Sequence, residues 1–439
     1  MAVSRGEAIG AVGAFFVLCV AVFLKKPELL EPDDYAYRAS IVALSQGHVL
    51  LTTVQYRALF VQLSAHGGGG IEQWVHLRSG KWISEKNPGY PFFAVVFQWL
   101  HALRLTPLFF GALASFGLFF GGRRWLGPWG GTFAVGLYCS SGAALVFAWR
   151  ATMPSFSDTS LLAAGTAVLL GVLLAPDMAP RRRNVLGAVS FLALDAAVFI
   201  RYTDVVVLLV AVVMVTVLYH ACSLTRVALL TWYGVVAAFA VFDLVVNRLL
   251  YGSPLRTGYA SGLITFTPSA IGSNLERLPT RLIDSMPLTL LALVALGWIV
   301  YRLVDGRTTG DVRATREDGL VALGLGASWL GEWALYAMYT WTVTQPMNSV
   351  YPIHVIRFYL PALGPLALLS AWLLIRAPRW LAGTALALLV ACGLWFYTSP
   401  NNFVVVRPVG YYVPVNGTGP APPGGPGSPA PSPGTAGSS

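Results

Sequence analysis

Charged residues are scarce in this chain: they make up 11% of its 439 residues, whereas hydrophobic residues make up 56%. An average soluble chain carries about 25% charged residues, so a protein of this size cannot build a water-facing surface from this composition. The apolar residues also occur in blocks of about 20, the length that crosses a hydrocarbon core of roughly 30 Å. These blocks lack the polar residue at every third or fourth position that a soluble helical bundle needs. The sequence therefore predicts an all-α integral membrane protein.

Cysteine and lysine are both rare. The four cysteines lie singly in apolar blocks, without the paired spacing that indicates disulfides or a metal cluster: Cys19, Cys139, Cys222 and Cys392. Arginine is used in place of lysine almost everywhere, which makes a lysine in a polar loop conspicuous. The formal net charge of +10 comes mainly from arginines in short loops. In a membrane protein such arginines indicate orientation rather than binding of nucleic acid.

Eleven apolar blocks predict a helix bundle of about eleven membrane crossings within a transmembrane module, residues 1–400. The blocks are 8–24, 105–121, 128–148, 158–175, 185–200, 204–220, 227–247, 287–303, 319–340, 357–375 and 380–397. The first block lacks a small-residue cleavage pattern before Lys25, so we interpret it as an uncleaved span rather than a signal peptide. The block 88–103 is ambiguous. If it is interfacial or re-entrant, the arginine-rich loops fall on the cytoplasmic side; twelve crossings are the alternative.

The protein is predicted to lie in the cell membrane. This orientation leaves two long segments on its exoplasmic side, residues 25–87 and 248–286. Between Tyr35 and Leu50, apolar and polar residues alternate at helical spacing, which is typical of a helix lying in the membrane interface. The tail 417–439 is rich in Pro, Gly and Ser. Because it cannot bury apolar surface, the tail is predicted to be disordered.

The first exoplasmic segment carries acids and a lysine at the membrane edge. Glu31, Asp33 and Asp34 follow the first span within a few residues; a solvated loop is the alternative interpretation of these acids. Glu85 and Lys86 stand shortly before a proline, and the residue preceding a proline is disfavoured in a helix. Both side chains are therefore predicted to lie on an irregular turn that points into the cavity covered by the segment.

Several strings in the chain resemble motifs of the GT-C superfamily of polyprenyl-phosphate-dependent glycosyltransferases. They are Glu31-Pro32-Asp33-Asp34-Tyr35-Ala36-Tyr37, Gly80-Lys81-Trp82 followed by Glu85-Lys86-Asn87-Pro88, Tyr251-Gly252-Ser253-Pro254-Leu255-Arg256-Thr257-Gly258-Tyr259, and Arg357-Phe358-Tyr359-Leu360-Pro361. The pattern is most similar to the aminoarabinose lipid A transferase and to the bacterial relatives of protein O-mannosyltransferases. The chain departs from the Glu-Lys-Pro-Pro turn of the former at Asn87. The resemblance implies a GT-C-like bundle and an inverting transferase whose acceptor is a glycan, a glycolipid or a protein.

Such a transfer needs a cation on the leaving phosphate and a carboxylate that accepts the proton of the acceptor hydroxyl. By position, Asp33 is the candidate base, with Asp34 as its partner. Lys86 is the candidate contact of the donor phosphate. Glu85 and Glu31 are candidates to orient these groups or to bind a divalent metal, which the chemistry allows as a cofactor.

Further charged residues lie at the outer ends of predicted spans, where they are costly and are functional candidates by default. Arg357 and Arg201 are candidate second contacts of the donor phosphate. Pairing between helices, for example of Arg201 with Asp204 or Asp195, is the alternative. The other candidates for the cavity are Asp158, Arg256 and His354, and an ordinary position at the membrane interface is the alternative for the histidine.

A secondary transporter or lipid flippase is the alternative function, and a membrane scaffold without activity is a third. A transporter places polar residues near the bilayer midplane and contains an internal repeat. In this chain the acids crowd one predicted side, and we find no repeat. The sequence therefore favours a glycosyltransferase that moves a sugar from a polyprenyl-phosphate donor to an exoplasmic acceptor.

Overall fold

The computed structural model describes residues 3–26, 29, 31–65, 71, 73–175, 177–259, 265–305, 312–344 and 352–399. In the first half of the chain the helices and strands are α1 (Arg5–Leu24), α2 (Pro32–Ser45), α3 (Thr53–Ala65), β1 (Trp74–His76), β2 (Trp82–Ser84), α4 (Gly89–Trp99), α5 (Leu105–Leu126), α6 (Gly130–Ser140), α7 (Gly142–Ala148), α8 (Ser155–Leu173) and α9 (Pro180–Ile200). The predicted disordered tail lies outside the described residues.

The second half of the chain is also helical. Its helices are α10 (Val205–Leu218), α11 (Arg226–Tyr251), α12 (Ile271–Leu282), α13 (Leu288–Asp305), α14 (Val312–Ala337), α15 (Thr340–Thr344), α16 (Pro352–Tyr359), α17 (Leu363–Arg376) and α18 (Arg379–Thr398). The fold is therefore an all-α bundle. To this bundle the antiparallel hairpin β1–β2, with Val75 opposite Ile83, adds a small sheet in the first exoplasmic segment.

Eight helices in the described part of the chain are long and apolar enough to cross a membrane: α1, α5, α8, α9, α11, α14, α16 with α17, and α18. Helices α6 and α7 pass the same test only as a pair bent by 62°, and two shorter apolar helices lie at Tyr202–Leu218 and Leu288–Val304. A multi-pass membrane protein is confirmed, whereas the count of eleven crossings stays a prediction. Helix α4 has 11 residues, a length of about 16 Å that covers only half of the hydrocarbon core. A helix of this length is too short for a full crossing and is compatible with an interfacial or re-entrant position of 88–103.

The predicted span 128–148 is not one continuous helix, because the backbone of Ser141 is extended between α6 and α7 (φ −60°, ψ 134°). The amide of Ala143, freed by this break, donates to the carbonyl of Ser285 (3.0 Å), and the hydroxyl of Ser141 donates to the same oxygen (3.3 Å). Non-helical backbone within a membrane protein is tolerated where neighbouring groups satisfy it. Arg150, which follows α7, lies against the first exoplasmic segment.

The arginine-rich loops and the acidic segment lie at opposite ends of the bundle. At one end Arg123 of α5 pairs with Glu7 of α1 (2.6 Å). At the other end Arg104, just before α5, donates to the carbonyl of Val22 near the end of α1 (2.6 Å). The hairpin packs at this second end against Tyr251 of α11, so the two long exoplasmic segments meet there. The predicted orientation requires this separation, although the side of the membrane that each end faces stays a prediction.

Helix α2 begins at Pro32 and ends at Ser45, so it starts earlier and stops earlier than the predicted interfacial helix. Proline suits the first helical position because its missing N–H group would have no partner there. The Asp34 carboxylate accepts a hydrogen bond from the amide of Glu31 (3.1 Å) and thereby caps the helix. Because α2 begins this early, Asp33 and Asp34 both lie in its first turn. Successive helical residues point about 100° apart, so the two carboxylates face different neighbours.

Candidate active site

Asp33, Lys86 and Arg357 line one cavity of about 430 Å³. They come from three different parts of the chain: helix α2, the turn after β2, and helix α16. The Lys86 Nζ lies 3.0 Å from Asp33 Oδ1, and the Arg357 Nη1 lies 2.8 Å from Asp33 Oδ2. One carboxylate therefore bridges two cations. The structure brings together the three residues that the sequence analysis proposed as base and phosphate contacts.

The pKa values of Asp33 and of its neighbour Glu85, which does not line the cavity, shift in opposite directions. Burial opposes the ionisation of Asp33, but the attraction of Arg357 and Lys86 outweighs it and lowers the pKa of Asp33 to about 2. Burial raises the pKa of Glu85, although nearby Lys86 opposes that shift. Burial would lower the pKa of Lys86, but Asp33 and other neighbours raise it well above its usual value. At neutral pH, Asp33 is therefore a carboxylate and Lys86 an ammonium ion.

Contacts with α9 hold the turn that carries Lys86. As predicted, this turn is irregular backbone between β2 and α4. The side-chain amide of Asn87 donates to the carbonyl of Ile200 at the end of α9 (3.1 Å). A proline at this position could not make that bond, which gives the departure from the Glu-Lys-Pro-Pro turn a structural role. Gly89 lies so close to α9 that an added Cβ would meet the carbonyl of Phe199.

Two residues of the segment 248–286 pack against the same turn. Gly258 packs against the backbone of Glu85 and leaves no room for a Cβ. The next residue, Tyr259, places its ring centre 5.0 Å from Lys86 Nζ, a cation–π distance. The Glu85 Oε1 lies 3.3 Å from the same nitrogen. Glu85 thus contacts Lys86, as predicted for an orienting residue. In the sequence, Tyr259 is marked only as the last residue of a string that resembles the family.

A buried layer of charges lies behind Asp33. The Arg150 guanidinium contacts Glu31 (2.8 Å) and Asp34 (2.5 Å), and Arg357 contacts the other oxygen of Glu31 (2.5 Å). Glu31, Asp34 and Arg150 are each 1% exposed or less. Asp34, predicted to act beside Asp33, does not line the cavity because its carboxylate points to Arg150. Arg150 is one of the charged residues at the outer ends of predicted spans, but the sequence does not indicate that it pairs with Glu31 and Asp34.

Arg201 lines the cavity but already has partners for its guanidinium. Its Nε pairs with Asp158 (2.9 Å), Nη1 donates to the carbonyl of Arg357 (3.0 Å), and Nη2 donates to the Ser155 hydroxyl (2.9 Å). The ion pair with Asp158 replaces the alternative pairing with Asp204 or Asp195. Asp158 itself is buried and lies outside the cavity lining. A donor phosphate would therefore have to displace existing partners of Arg201.

A further predicted residue, Arg256, does not join this cavity, and nothing follows from the structure for another, His354. Arg256 is exposed and lines a separate cleft nearer the β1–β2 hairpin. Its neighbours in the chain reach the cavity, but Arg256 itself points away from it. His354 belongs to α16, and its side chain lies outside the described residues.

The described acids nearest the cavity are held by cations, so the divalent metal that the sequence allowed stays a prediction. Among the described residues, no three His, Cys, Asp or Glu side chains converge as ligands of one ion. The carboxylates nearest the cavity are each engaged by a cationic side chain: Glu31 by Arg150 and Arg357, Asp33 by Lys86 and Arg357. A metal would have to displace these cations, so no step below uses one.

An apolar groove of about 280 Å³ adjoins the cavity, and Lys86 lines both. The groove is formed mainly by apolar side chains of α2, α4, α9 and α11. Phe92, Phe242 and Leu249 on its walls are 57%, 42% and 72% exposed, which is the exposure expected of apolar side chains that contact lipid. A cation at the inner end of an apolar groove matches an amphiphile with a charged head and a hydrocarbon tail.

Replacing Arg150 by Met should strongly destabilise the protein, because Glu31 and Asp34 lose their buried guanidinium. Removing one partner of a buried ion pair costs about 3–5 kcal/mol. Thermal unfolding in detergent measures the effect. Adding Asp34→Asn to Arg150→Met removes one of the two acid charges that faced the guanidinium and should recover part of the loss. Equal stability of the wild type and Arg150→Met would show that this layer does not hold the site together.

No family model and no curated protein matches the chain. Among solved structures, it is similar to ArnT from Cupriavidus metallidurans in the apo state, with a TM-score of 0.50 and 17% identity, over 88% of this chain and 63% of that chain. The same enzyme bound to undecaprenyl phosphate matches with a TM-score of 0.47 and 16% identity, over 88% and 64%. The archaeal oligosaccharyltransferase AglB from Archaeoglobus fulgidus, in complex with an inhibitory peptide and a dolichol-phosphate, matches with a TM-score of 0.49 and 10% identity, over 91% and 56%.

The match to apo ArnT shows that the chain has the GT-C membrane fold, as the resemblance of its motifs implied. The chain spans less than two thirds of the length of ArnT. Fold similarity at this level of identity does not transfer an activity, which has to be argued from the site.

Proposed function

We propose that the protein is a glycosyltransferase of the cell membrane that moves a sugar from a polyprenyl-phosphate donor to a hydroxyl group of an exoplasmic acceptor. The observation that carries this proposal is the position of Lys86. This side chain is 7% exposed, and it lies between a cavity that contains a carboxylate and a groove that is apolar. The GT-C fold supports the same conclusion.

The donor binds with its phosphate at Lys86 and Arg357 and with the start of its tail in the apolar groove. Lys86 supplies a compact charge and Arg357 a planar fork, and both suit phosphate oxygens. Both cations already hold Asp33, so the arriving phosphate shares them with that carboxylate. Sharing weakens the attraction that lowers the pKa of Asp33. Donor binding therefore makes Asp33 a stronger proton acceptor at the time when one is needed.

In the transfer step, the bond between the anomeric carbon and the phosphate oxygen breaks, and the acceptor oxygen forms a bond to the same carbon. The acceptor proton passes to the Asp33 carboxylate. The electron pair of the broken bond stays on the phosphate oxygen, where Lys86 and Arg357 balance the added charge. Glu85 and Tyr259 position the lysine. The buried layer of Arg150, Glu31 and Asp34 positions Asp33 and Arg357 rather than touching the substrates.

The pH dependence of kcat/KM distinguishes the two acids of the site, because this parameter reports ionisations of the free enzyme. With a pKa of about 2, Asp33 is ionised at every pH above about 4. We therefore expect no loss of kcat/KM between pH 7 and pH 5 in assays with detergent-solubilised protein. The pKa of Glu85 is raised. An acid limb within that range, abolished by Glu85→Gln, would instead identify Glu85 as the proton acceptor.

Deleting the gene tests the function in cells. In the deletion strain, mass spectrometry of envelope glycans, glycolipids and glycoproteins should show one product whose mass is lower by that of a sugar residue. Wild-type protein should restore that product, whereas an equally expressed Asp33→Asn variant should not. An unchanged envelope profile, or restoration by Asp33→Asn, would contradict the proposal.

A further inference from the structure

A second cleft, of about 1030 Å³, lies between the β1–β2 hairpin and residues 249–259. We call it the basic cleft. Its lining includes the exposed side chains of Arg78, Lys81 and Arg256, and His76 adds a fourth basic group. Among the described residues, this lining contains no Asp or Glu. None of the three exposed cations forms an ion pair with an acid in the described part of the chain.

The charge of the basic cleft differs from that of the cavity. In the cavity, Lys86 and Arg357 are matched by carboxylates at 3.3 Å or less. In the cleft, cations from two separate chain segments face one space, and the described lining residues include no matching acid. A depression lined by one sign of charge attracts ligands of the opposite sign and concentrates them locally. The basic cleft is therefore suited to an anion.

The basic cleft and the cavity share a wall. Thr257 and Tyr259 line both spaces, and the Tyr259 ring lies against Lys86. A molecule in the cleft can thus extend past Tyr259 toward Asp33. The apolar groove also contacts Lys86, and it shares Leu249, Leu250 and Tyr251 with the basic cleft. The groove suits an apolar tail and the cleft a polar molecule, and both adjoin the cavity.

We infer that the basic cleft binds the acceptor, and that the acceptor is an anionic glycan or glycolipid bearing phosphate or carboxylate groups. This inference rests on the proposed transferase function. The cleft lies at the upper end of the 300–1,000 Å³ range that is usual for small-molecule sites, so it has room for more than one sugar residue. Arg256, predicted as a cavity residue, binds the acceptor rather than the donor.

The test compares wild type with a triple variant, Arg78→Gln, Lys81→Gln and Arg256→Gln, in nanodiscs of phosphatidylcholine. Arg57→Gln is the matched control, since Arg57 is an exposed arginine of the same segment outside the basic cleft. The first probe is inorganic tripolyphosphate. The triple variant should bind it about tenfold more weakly or worse, since each exposed charge contact contributes modestly. The control should bind it as the wild type does.

The second measurement identifies the anion as the acceptor. Envelope glycans from the deletion strain are separated into anionic and neutral fractions, and a polyprenyl-linked lipid extract supplies the donor. Wild type should glycosylate the anionic fraction, and the triple variant should show a raised KM for it with a similar kcat. Equal tripolyphosphate binding by wild type and triple variant would overturn the inference.

Other outcomes separate this inference from the proposed function. Transfer to the neutral fraction alone would overturn the anionic acceptor and leave the transferase intact. Absence of transfer by wild type to either fraction would contradict the transferase itself. Loss of tripolyphosphate binding when phosphatidylglycerol is added to the nanodiscs would assign the cleft to lipid headgroups, and would also overturn the inference.

Discussion

Replacing Asp33 by Asn is expected to lower the rate of sugar transfer about 10²–10⁴-fold, the usual effect of losing a general base. The amide keeps the volume of the side chain but cannot accept the acceptor proton. It also frees Lys86 and Arg357 from the carboxylate that now holds them at 3.0 and 2.8 Å. Donor binding should therefore be retained or tightened while turnover collapses. Single-turnover transfer and donor-lipid binding, measured on the same preparation, separate the two effects.

Two control variants define the result for Asp33. Asp177→Asn changes an exposed acid that pairs with Arg124 away from the site, and it should leave transfer unchanged. Asp34→Asn should act mainly on stability, because Asp34 contacts Arg150 and Thr152 behind the cavity. If Asp34→Asn abolishes transfer at unchanged stability while Asp33→Asn does not, the roles of the two carboxylates are reversed.

Replacing Lys86 by Ala is expected to weaken donor binding roughly 10- to 150-fold. A hydrogen bond to a charged group is worth about 1.5–3 kcal/mol, and about 1.4 kcal/mol corresponds to a factor of ten in affinity. Lys86→Arg should restore part of the affinity, because it keeps the charge but changes its shape. Binding of undecaprenyl phosphate to protein in nanodiscs measures the effect.

The same experiment with undecaprenol isolates the phosphate contact. This alcohol has the tail but no phosphate, so wild type and Lys86→Ala should bind it equally weakly. Arg57→Gln is the control, since Arg57 is an exposed cation of the same segment that lines neither the cavity, the apolar groove nor the basic cleft. Undecaprenyl phosphate that binds equally well to wild type and Lys86→Ala would remove the phosphate role of Lys86.

The central part of the site could be predicted from the sequence. Asp33, Lys86 and Arg357 stood in strings whose order and side of the membrane resembled one superfamily, and the structure places all three in one cavity. The irregular turn at Lys86 followed from the proline after it. Local backbone preference decides the turn without reference to distant contacts, whereas the grouping of the three residues came from the resemblance of their strings to one superfamily. Their roles in catalysis and binding stay predictions.

The rest depended on packing that the sequence does not display. Arg150 reaches the site after a helix break at Ser141, and that break is satisfied by Ser285, more than a hundred residues away. Asp34 was paired with Asp33 by adjacency, but adjacent helical residues face different directions. Arg256 was grouped with the cavity because its neighbours resemble the family string. Thr257 and Tyr259 reach the cavity, whereas Arg256 does not.

The chemical fate of the donor lipid tests the transferase most directly. A purified wild-type protein in nanodiscs is incubated with a polyprenyl-linked sugar extract and envelope acceptors, and the lipids are then quantified by mass spectrometry. The account predicts that donor is converted to free polyprenyl phosphate as the acceptor gains a sugar, and that Asp33→Asn binds the donor without converting it. Donor that stays intact with wild type, or that wild type and Asp33→Asn convert equally, would contradict the account; a flippase would leave it intact.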